Sequence, residues 1–484
     1  MINRRRFIKQ SIAATSASFC GLPNTVFAKN NKKPLADLHE HIIDCVKKLA
    51  PAEPLTLTLL YPQGSYSNLK PIIQAFAGAT GINITPLEVG VDDINSTIIF
   101  NTAQDKYLFD IALPASFSLH ELAGAGALYP LTKYQKKYEP SDYSENQLYN
   151  LSDTVGDTFY GYQTDGDAYL MFYNKAMLDN KANQENFRAR FGYSLGVPQS
   201  WQQLDQMIEF FHQPEKQQYG GCLFRIPGYG AWEWWSRFHA KGFYPLSDNL
   251  EPQINNAAGI QALEEMIKVS KFLHPNTASD GLFENWATFS EGQTFCNIGW
   301  GGSQKAFIRD TSKVKDNLYY SPAPGGTIGE QSFNCPIFNW GWNYVVSSRC
   351  PQTEIAYLFT LYACSPVMST LSVRQDGFFD PYRKEHYGDQ AIQDLYTPEF
   401  LTAHQTSMNE SIPDFYINKQ SAYLSALQEN ITLAYKGNIS AKQALDLTAI
   451  EWKKLNSQSD TQQQQQAWLA LKAKYPKNLK QILR

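Results

Sequence analysis

The stretch LTLTLLYPQGSYSNLKPIIQAFAGATGINITPLEV (residues 55–89) decides the fold. Its first residues alternate leucine with threonine, which predicts a strand with one buried face. Apolar residues between 69 and 76 keep helical spacing, and Gly81 can supply a left-handed helix cap. Residues 82–89 predict a second strand. A strand, a helix and a strand form a βαβ unit with parallel strands, so we expect an α/β protein.

The same pattern recurs further along the chain. Residues 109–114 predict a third strand, the region 166–335 repeats strands and helices, and the tail from 413 is mostly helical. In open α/β sheets, ligands bind beyond the carboxyl ends of the strands. Residues 63–65 and 114–117 follow predicted strands, so we expect both loops at the ligand-binding edge.

Several blocks of sequence, in a fixed order, resemble a known family. The longest are DIALPASFSLHELAGAGALY (110–129), YGYQTDGDAYLMFYNKAML (160–178) and FSEGQTFCNIGWGGSQK (289–305). With 55–81, 197–201 and 424–452, they resemble the extracellular solute-binding proteins of ABC transporters, of the type that binds maltose and oligosaccharides. The resemblance implies two α/β lobes, each a mostly parallel sheet flanked by helices. Crossing strands would join the lobes at a hinge, with the ligand held between them.

The resemblance also implies a division of the chain. We expect a signal peptide (1–28), a linker and helix (29–50), lobe one (51–161 and 343–406), lobe two (166–336 and 412–460) and a helical C-terminal extension (461–484). The hinge segments would be 161–164, 338–341 and 407–412. Closure of the two lobes around a solute is the motion that such a layout supports.

The N-terminal residues predict export of the protein from the cytoplasm. NRRRFIK (3–9) resembles a twin-arginine export signal, residues 11–22 are weakly apolar, and 26–28 (VFA) offer a cleavage site. Phe19 before Cys20 argues against lipid attachment, and a retained basic helix is the alternative. We therefore expect export of the folded chain through the Tat translocon to a Gram-negative periplasm.

Composition limits the partners. The chain has 484 residues and a formal charge of −4; the segment 1–28 holds four of its 42 basic residues and no acidic one, which leaves −8. This sign disfavours nucleic acid and anionic membranes. Six cysteines follow the signal, and they allow 15 disulfide pairings or free thiols. We expect a monomer.

The candidate site combines aromatic rings with polar side chains. A carbohydrate or polyol presents a face of C–H groups and a rim of hydroxyls, which suit a ring beneath and polar groups at the edge. Seven of the ten tryptophans fall between positions 232 and 342, and the glycines around Trp300, which are Gly299, Gly301 and Gly302, suggest a loop with close backbone approach. Core packing is the alternative for each tryptophan, a cap for Asp167 and a surface ion pair for the loop 374–383. The predicted ligand-binding residues are Gln63, Ser65, Ser116, Asp167, Trp232, Trp300, Trp340, Trp342 and Arg374.

Other chemistries fit the sequence less well. Asp165 and Asp167 could be a glycosidase pair, but carboxylates two residues apart are common by chance. Asp37, His39 and His41 lack the helical spacing of a metal site. We therefore predict no enzyme activity, cofactor or metal, and a receptor that delivers a carbohydrate or polyol to an ABC permease. A sensing receptor and a periplasmic hydrolase remain alternatives.

Overall fold

The computed structural model describes residues 35–104, 107–328 and 331–484. The predicted export signal and its cleavage site lie outside these residues. The strands are β1 (Thr56–Pro62), β2 (Asn83–Val89), β3 (Ile111–Ala112), β4 (Thr154–Val155), β5 (Thr158–Phe159), β6 (Gly161–Gln163), β7 (Leu170–Asn174), β8 (Tyr219–Cys222), β9 (Thr294–Gly299), β10 (Leu318–Pro322), β11 (Pro324–Ile328), β12 (Gln331–Asn334) and β13 (Asn343–Val346).

The helices surround these strands. They are α1 (Leu38–Leu49), α2 (Tyr66–Thr80), α3 (Ile94–Ala103), α4 (Leu119–Gly124), α5 (Thr132–Tyr138), α6 (Lys175–Asp179), α7 (Lys181–Phe191), α8 (Trp201–Phe211), α9 (Gly230–Ala240), α10 (Ala257–Ser270), α11 (Leu282–Ser290), α12 (Gly301–Phe307), α13 (Thr353–Ala363), α14 (Pro366–Val373), α15 (Lys384–Tyr387), α16 (Gln390–Tyr396), α17 (Pro398–Glu410), α18 (Gln420–Tyr435), α19 (Ala441–Ser457), α20 (Thr461–Lys472) and α21 (Lys477–Lys480).

The first sheet has the strand order β2-β1-β3-β13-β6. Strand β1 pairs in parallel with β2 and β3, whereas β13 runs antiparallel to β3 and β6. Leu57 and Leu59 are buried as the alternation predicts, and helix α2 ends at Gly81, whose φ is 78°. The βαβ unit over 55–89 is therefore confirmed.

The second sheet has the order β10-β7-β9-β8. Strands β8 and β9 are parallel, and β7 runs antiparallel to both β9 and β10. Helix α8 packs against β8 and β9, and helix α11 packs on the same two strands. Two sheets flanked by helices make the two-lobed α/β fold that the sequence predicts.

Three chain segments cross between the sheets and lie beside one another. The first and second meet where the Thr164 N–H donates to Trp342 O at 2.9 Å and where Ala168 bridges Phe338. The second meets the third at a bridge between Ile337 and Ile412. These crossings bring residues 164–168 and 338–342 to the junction of the two sheets.

A helix that comes after β13, the last strand of the first sheet along the chain, packs against the second sheet. Helix α17 packs on β7 and β10, where Phe400 stacks with Phe172 at a centroid distance of 6.0 Å. Residues 398–406, which the sequence analysis placed in lobe one, thus contact lobe two. The 461–484 segment forms α20 and α21, with Trp468 fully buried and in edge contact with Tyr244.

All six cysteines between 35 and 484 are free thiols: Cys45 is half-buried, and the other five are buried. None of the 15 pairings is formed within the described residues. In the same part of the chain no single helix is long and apolar enough to cross a bilayer, although the bent pair α13 and α14 passes that test by length and composition.

Candidate functional site

A small cavity lies where the crossing segments meet the two sheets. Its volume is about 40 Å³. Its lining comes from both lobes and from the crossings: Val91, Asp167, Tyr229, Leu282, Trp286, Trp300, Gly302, Trp340, Trp342 and Phe378. Aromatic rings form most of this wall, and Asp167 is its only ionisable carboxylate. We call this space the inner cavity.

A wider groove of about 600 Å³ adjoins the inner cavity and shares Tyr229 and Trp340 with it. It is more open and carries more polar side chains. Its other lining residues are Asp92, Phe117, Ile226, Pro227, Gly228, Ala231, Trp232, Ser421, Leu424, Ser425, Gln428 and Glu429. We call this space the outer groove.

Trp300 stands between strand β9 and helix α12. Its indole N–H donates to Asn339 Oδ1 at 3.0 Å, and its ring packs on Tyr169 with centroids 4.8 Å apart. A Cβ at Gly299 would lie 2.2 Å from Ser303 Oγ, and one at Gly301 would lie 2.3 Å from Asp380 Cγ. The glycines around Trp300 are therefore required by close approach of neighbouring groups, as the sequence suggested.

The other tryptophans form one aromatic cluster with Trp300. Trp340 touches Trp300, Trp342 and Trp232 at centroid distances of 6.1, 6.0 and 5.5 Å. Tyr229 stacks on Trp340 at 5.8 Å. Gly341 turns the chain between Trp340 and Trp342 with a φ of 69°, a conformation that favours glycine. Both flanking rings consequently reach the inner cavity.

Three buried carboxyl groups lie close together at the inner cavity, and one of them, Asp167, lines it. Asp165, Asp167 and Asp380 each place a carboxylate oxygen within 4.8 Å of the other two. Among the described residues, they are the one group of His, Cys, Asp and Glu side chains close enough to hold a metal ion. We call these three residues the acidic triad.

Backbone N–H groups orient the triad. Asp165 Oδ1 accepts from the N–H of Asp380 at 2.7 Å, and Asp167 Oδ2 accepts from the N–H of Gly341 at 3.0 Å. Asp380 Oδ2 accepts from the N–H of Gly302 at 2.8 Å, and its Oδ1 accepts from the Tyr396 hydroxyl at 2.5 Å. The carboxyl groups are thus held in place by both lobes and by the second crossing.

Burial and crowding shift the proton affinities of the triad. Burial raises the pKa values of Asp165 and Asp167 well above their ordinary range, and the neighbouring carboxylates add to the rise. Burial also raises the pKa of Asp380 to about 6, although Lys305 opposes the rise. The pKa of Lys305 is lowered to about 8 by burial, against the pull of Asp380 and Asp165.

Lobe one and lobe two touch directly beside the triad. Lys305 on α12 donates to the backbone carbonyls of Gly377 and Phe379, the second at 3.0 Å. Phe378 lies against Trp286 with centroids 5.6 Å apart. These contacts, with the small inner cavity, describe a closed cleft.

The structure brings some of the predicted site residues together and not others. Asp167, Trp300, Trp340 and Trp342 line the inner cavity, and Trp232 lines the outer groove. The sequence analysis missed Tyr229, Leu282, Trp286 and Phe378 in the inner cavity and Gln428 in the outer groove. Trp286 falls in the tryptophan-rich region 232–342, which was the available signal, and Tyr229 lies three residues before that region.

The remaining predicted residues lie outside both cavities. Ser65 is buried and its Oγ has no hydrogen-bond partner within the described residues, whereas the neighbouring Gln63 is exposed. Ser116 Oγ is engaged with Gln163 Oε1 and Asn343 Oδ1. The guanidinium of Arg374 pairs with Asp389 and its side chain is 43% exposed.

Comparisons with known proteins agree with this architecture. The family profile described as bacterial extracellular solute-binding protein matches residues 62–366. A solute-binding protein of an ABC transporter from Agrobacterium radiobacter K84, solved with ribitol, aligns with 17% identity and a TM-score of 0.71, covering 84% of this chain and 100% of that one. No curated protein sequence matches the chain.

Two further solved structures share the fold. The solute-binding protein of Agrobacterium vitis S4 with bound D-mannitol aligns with 18% identity and a TM-score of 0.67, covering 84% of this chain and 99% of that one. Maltose-bound MalE3 of T. maritima aligns with 17% identity and a TM-score of 0.69, covering 83% and 100%. Because the family profile spans more than half of the sequence, this chain belongs to the bacterial extracellular solute-binding proteins.

Proposed function

We propose that this protein is a periplasmic receptor that captures a carbohydrate or polyol in the cleft and delivers it to an ABC permease. One observation carries the proposal: Trp300, Trp340 and Trp342 meet Asp167 in a cavity lined by both lobes. Ring faces cover the C–H groups of a sugar, and a carboxylate accepts hydrogen bonds from its hydroxyls. The similar proteins solved with ribitol, D-mannitol and maltose support this ligand class.

Closure is the second part of the proposed function. The solute would enter between separated lobes, and its contacts would favour the closed arrangement that the structure shows. Lys305 and Asp380 make contacts across the cleft, and separation of the lobes would break them. A permease could then distinguish the loaded receptor from the empty one by its shape.

We propose that the receptor is not an enzyme. Asp165, half of the possible glycosidase pair, is fully buried, and its Oδ1 accepts from two backbone N–H groups, those of Gly166 and Asp380. It does not line the inner cavity. Chromatography of an oligosaccharide panel after incubation with the protein should show no hydrolysis products, and any turnover would contradict this part of the proposal.

We propose that the protein is located in the periplasm and that it is exported there as a folded monomer through the Tat translocon. Its support is the motif NRRRFIK at 3–9. Replacing Arg4 and Arg5 with lysine should leave the precursor in the cytoplasm, which cell fractionation measures. Unchanged export of this double variant would contradict the Tat assignment.

A thermal-shift screen tests the ligand class. A ligand that binds only the native state increases the free energy of unfolding, by about 2.7 kcal/mol when its concentration is a hundred times Kd, and thereby raises the melting temperature. We expect a shift with at least one sugar or polyol, and none with nucleotides. Absence of a shift from every sugar and polyol would refute the carbohydrate proposal.

A further inference from the structure

We infer that the solute carries an ammonium group, as in an amino sugar or an amino polyol, and that this group lies against Asp167 in the inner cavity. The inference rests on the proposed capture of a hydroxylated solute and adds a charge to it. Three independent features of the cleft lead to it: the charge balance of the acidic triad, the aromatic wall and the sizes of the two cavities.

The acidic triad has too little positive charge around it. Three carboxyl groups share the site with a single buried cation, Lys305, which donates hydrogen bonds to the backbone carbonyls of Gly377 and Phe379. Asp376 adds a further acidic group near Lys305, and Tyr396 contributes only a neutral hydroxyl. A buried carboxylate is costly unless a cation or a proton compensates it.

One atom of the triad has no hydrogen-bond donor from outside the triad. Asp165 Oδ2 is buried, and within the described residues only the other carboxyl groups of the triad can share a proton with it; Asp165 itself is 0% exposed. Asp167 lies between this group and the inner cavity, since it belongs to both the triad and the cavity wall. A cation placed against Asp167 would therefore reduce the net negative charge of the triad, whereas a neutral hydroxyl would not.

The aromatic wall also suits a cation. Trp300, Trp340, Trp342 and Tyr229 all line the inner cavity together with Asp167. The faces of indole and phenol rings attract ammonium groups, and the attraction strengthens when the cation is removed from water. Such a wall accepts the C–H groups of a sugar as well, so it accommodates both parts of an amino sugar.

The two cavity sizes orient the solute. The inner cavity of about 40 Å³ holds one or two groups the size of water, which is enough for an ammonium group and its carbon. The outer groove of about 600 Å³ can hold the hydroxylated remainder. Ser421, Ser425 and Gln428 offer hydroxyl and amide partners there, and Trp232 offers a ring. The ammonium group would thus occupy the inner cavity, and the hydroxyl groups would lie in the outer groove.

Matched pairs of compounds test the inference. Isothermal titration of the full chain would compare glucose with glucosamine, galactose with galactosamine, mannose with mannosamine, and sorbitol with 1-amino-1-deoxysorbitol. A pH of about 6.5 keeps amines of ordinary pKa near 8 charged. We expect at least one pair in which the amine binds ten times more tightly or better, and no pair with the opposite preference. Acetylation of the preferred amine, which removes its charge, should abolish the gain.

Two variants connect the preference to the triad. Asp167→Asn keeps the shape of the side chain and should bring the Kd of the preferred amine to that of its neutral partner. Asp157→Asn, at an exposed turn between β4 and β5, should change neither Kd. Retained preference in Asp167→Asn overturns the inference, and melting curves of both variants establish that they fold.

The remaining outcomes separate the inference from the proposed function. Neutral sugars that bind as tightly as their amines overturn the charge inference and leave the receptor proposal standing. Tight binding of putrescine, which has amines and no hydroxyls, together with no binding of any hydroxylated compound, overturns both. Stabilisation by calcium chloride in place of the amines would assign the triad to a metal ion and overturn the inference.

Discussion

Replacement of Trp300 by alanine tests whether the aromatic cluster is a binding surface. Tyr169 covers one side of the indole, with centroids 4.8 Å apart and the ring planes at 32°, and Asn339 Oδ1 accepts from its N–H. Another part of the ring lines the inner cavity. The substitution thus removes a wall of the cavity and leaves the side-chain oxygen of Asn339, Oδ1, without its donor.

The expected effect follows from the area of the ring. A tryptophan side chain buries about 150–250 Å², so one face contributes about 100 Å² against a bound solute. At about 25 cal/mol per Å², the lost contact is worth about 2.5 kcal/mol. Each 1.4 kcal/mol is tenfold in Kd, so we expect the Kd of the solute found by thermal shift to rise between about 30- and 100-fold.

Trp234 provides the matched control. It is also in lobe two and fully buried, and its indole N–H donates to Gly259 O at 3.1 Å, yet it lines neither cavity. Both alanine variants should lose about 3–5 kcal/mol of the free energy of unfolding, as large-to-small core substitutions do. Only Trp300→Ala should change the Kd in isothermal titration. If either alanine variant fails to fold, the pair Trp300→Phe and Trp234→Phe gives the same comparison with smaller effects.

A Kd within threefold of the wild-type value in Trp300→Ala would refute the reasoning, provided that its melting temperature falls as expected. Trp300 would then be a core residue of the closed lobes, and the solute would lie elsewhere. Equal losses of affinity in Trp300→Ala and Trp234→Ala would refute it too, because the change would follow from lost stability alone.

Three further predictions concern closure, pH and the thiols. Gly301→Ala places a Cβ 2.3 Å from Asp380 Cγ and should obstruct closure, raising the Kd about tenfold or more, whereas Gly78→Ala, whose Cβ would meet nothing within 4 Å, should not; equal affinities would contradict this. Burial raises the pKa of Asp414 to about 7 from 3.8, so its folded form holds a proton that the unfolded chain releases, and stability falls as pH rises from about 4 to 7. Asp414→Asn should therefore melt a few degrees higher than wild type at about pH 8 and near the same temperature at about pH 4; equal shifts at both would contradict this. A thiol reagent should label Cys45 alone among the six cysteines of residues 35–484 in the native protein, and reductant should leave the melting temperature unchanged; labelling of Cys222 before Cys45 would contradict the structure.

Local patterns predicted the parts of the fold that depend on local physics. We could predict strand β1 from its alternation of leucine and threonine, and the end of α2 from its glycine cap. Both features depend on only a few neighbouring residues. Trp300 was predicted for a similar reason: glycines on both sides of a large ring indicate close approach of other groups. The structure places this ring in the wall of the inner cavity, and its contact with a solute stays a prediction.

Contacts between distant segments could not be predicted in the same way. Asp165 and Asp380 are 215 positions apart, and only the folded chain reveals that the N–H of one binds the carboxylate of the other. Phe378 and Trp286 meet across the cleft from two lobes for the same reason. Arg374 shows the opposite case: its partner, Asp389, lies 15 residues ahead, and the pair sits at the surface.

A continuous set of hydrogen bonds joins the acidic triad to both lobes and would connect the proposed ligand binding to closure. Asp165, on the first crossing, accepts from the N–H of Asp380 in lobe one, and Asp380 accepts from the N–H of Gly302 in lobe two. Opening the cleft would break the second of these bonds and the contacts of Lys305, and would admit water to the carboxyl groups. The triad would therefore be solvated in an open receptor and desolvated in a closed one, so closure would carry an electrostatic cost that grows with the number of ionised carboxylates. A solute that brings a positive charge to Asp167 reduces this cost only in the closed state, and differential stabilisation of one state is what a ligand needs in order to shift the equilibrium. A neutral solute of the same shape would have to leave the triad to bind protons instead, and its affinity would then fall as the pH rises.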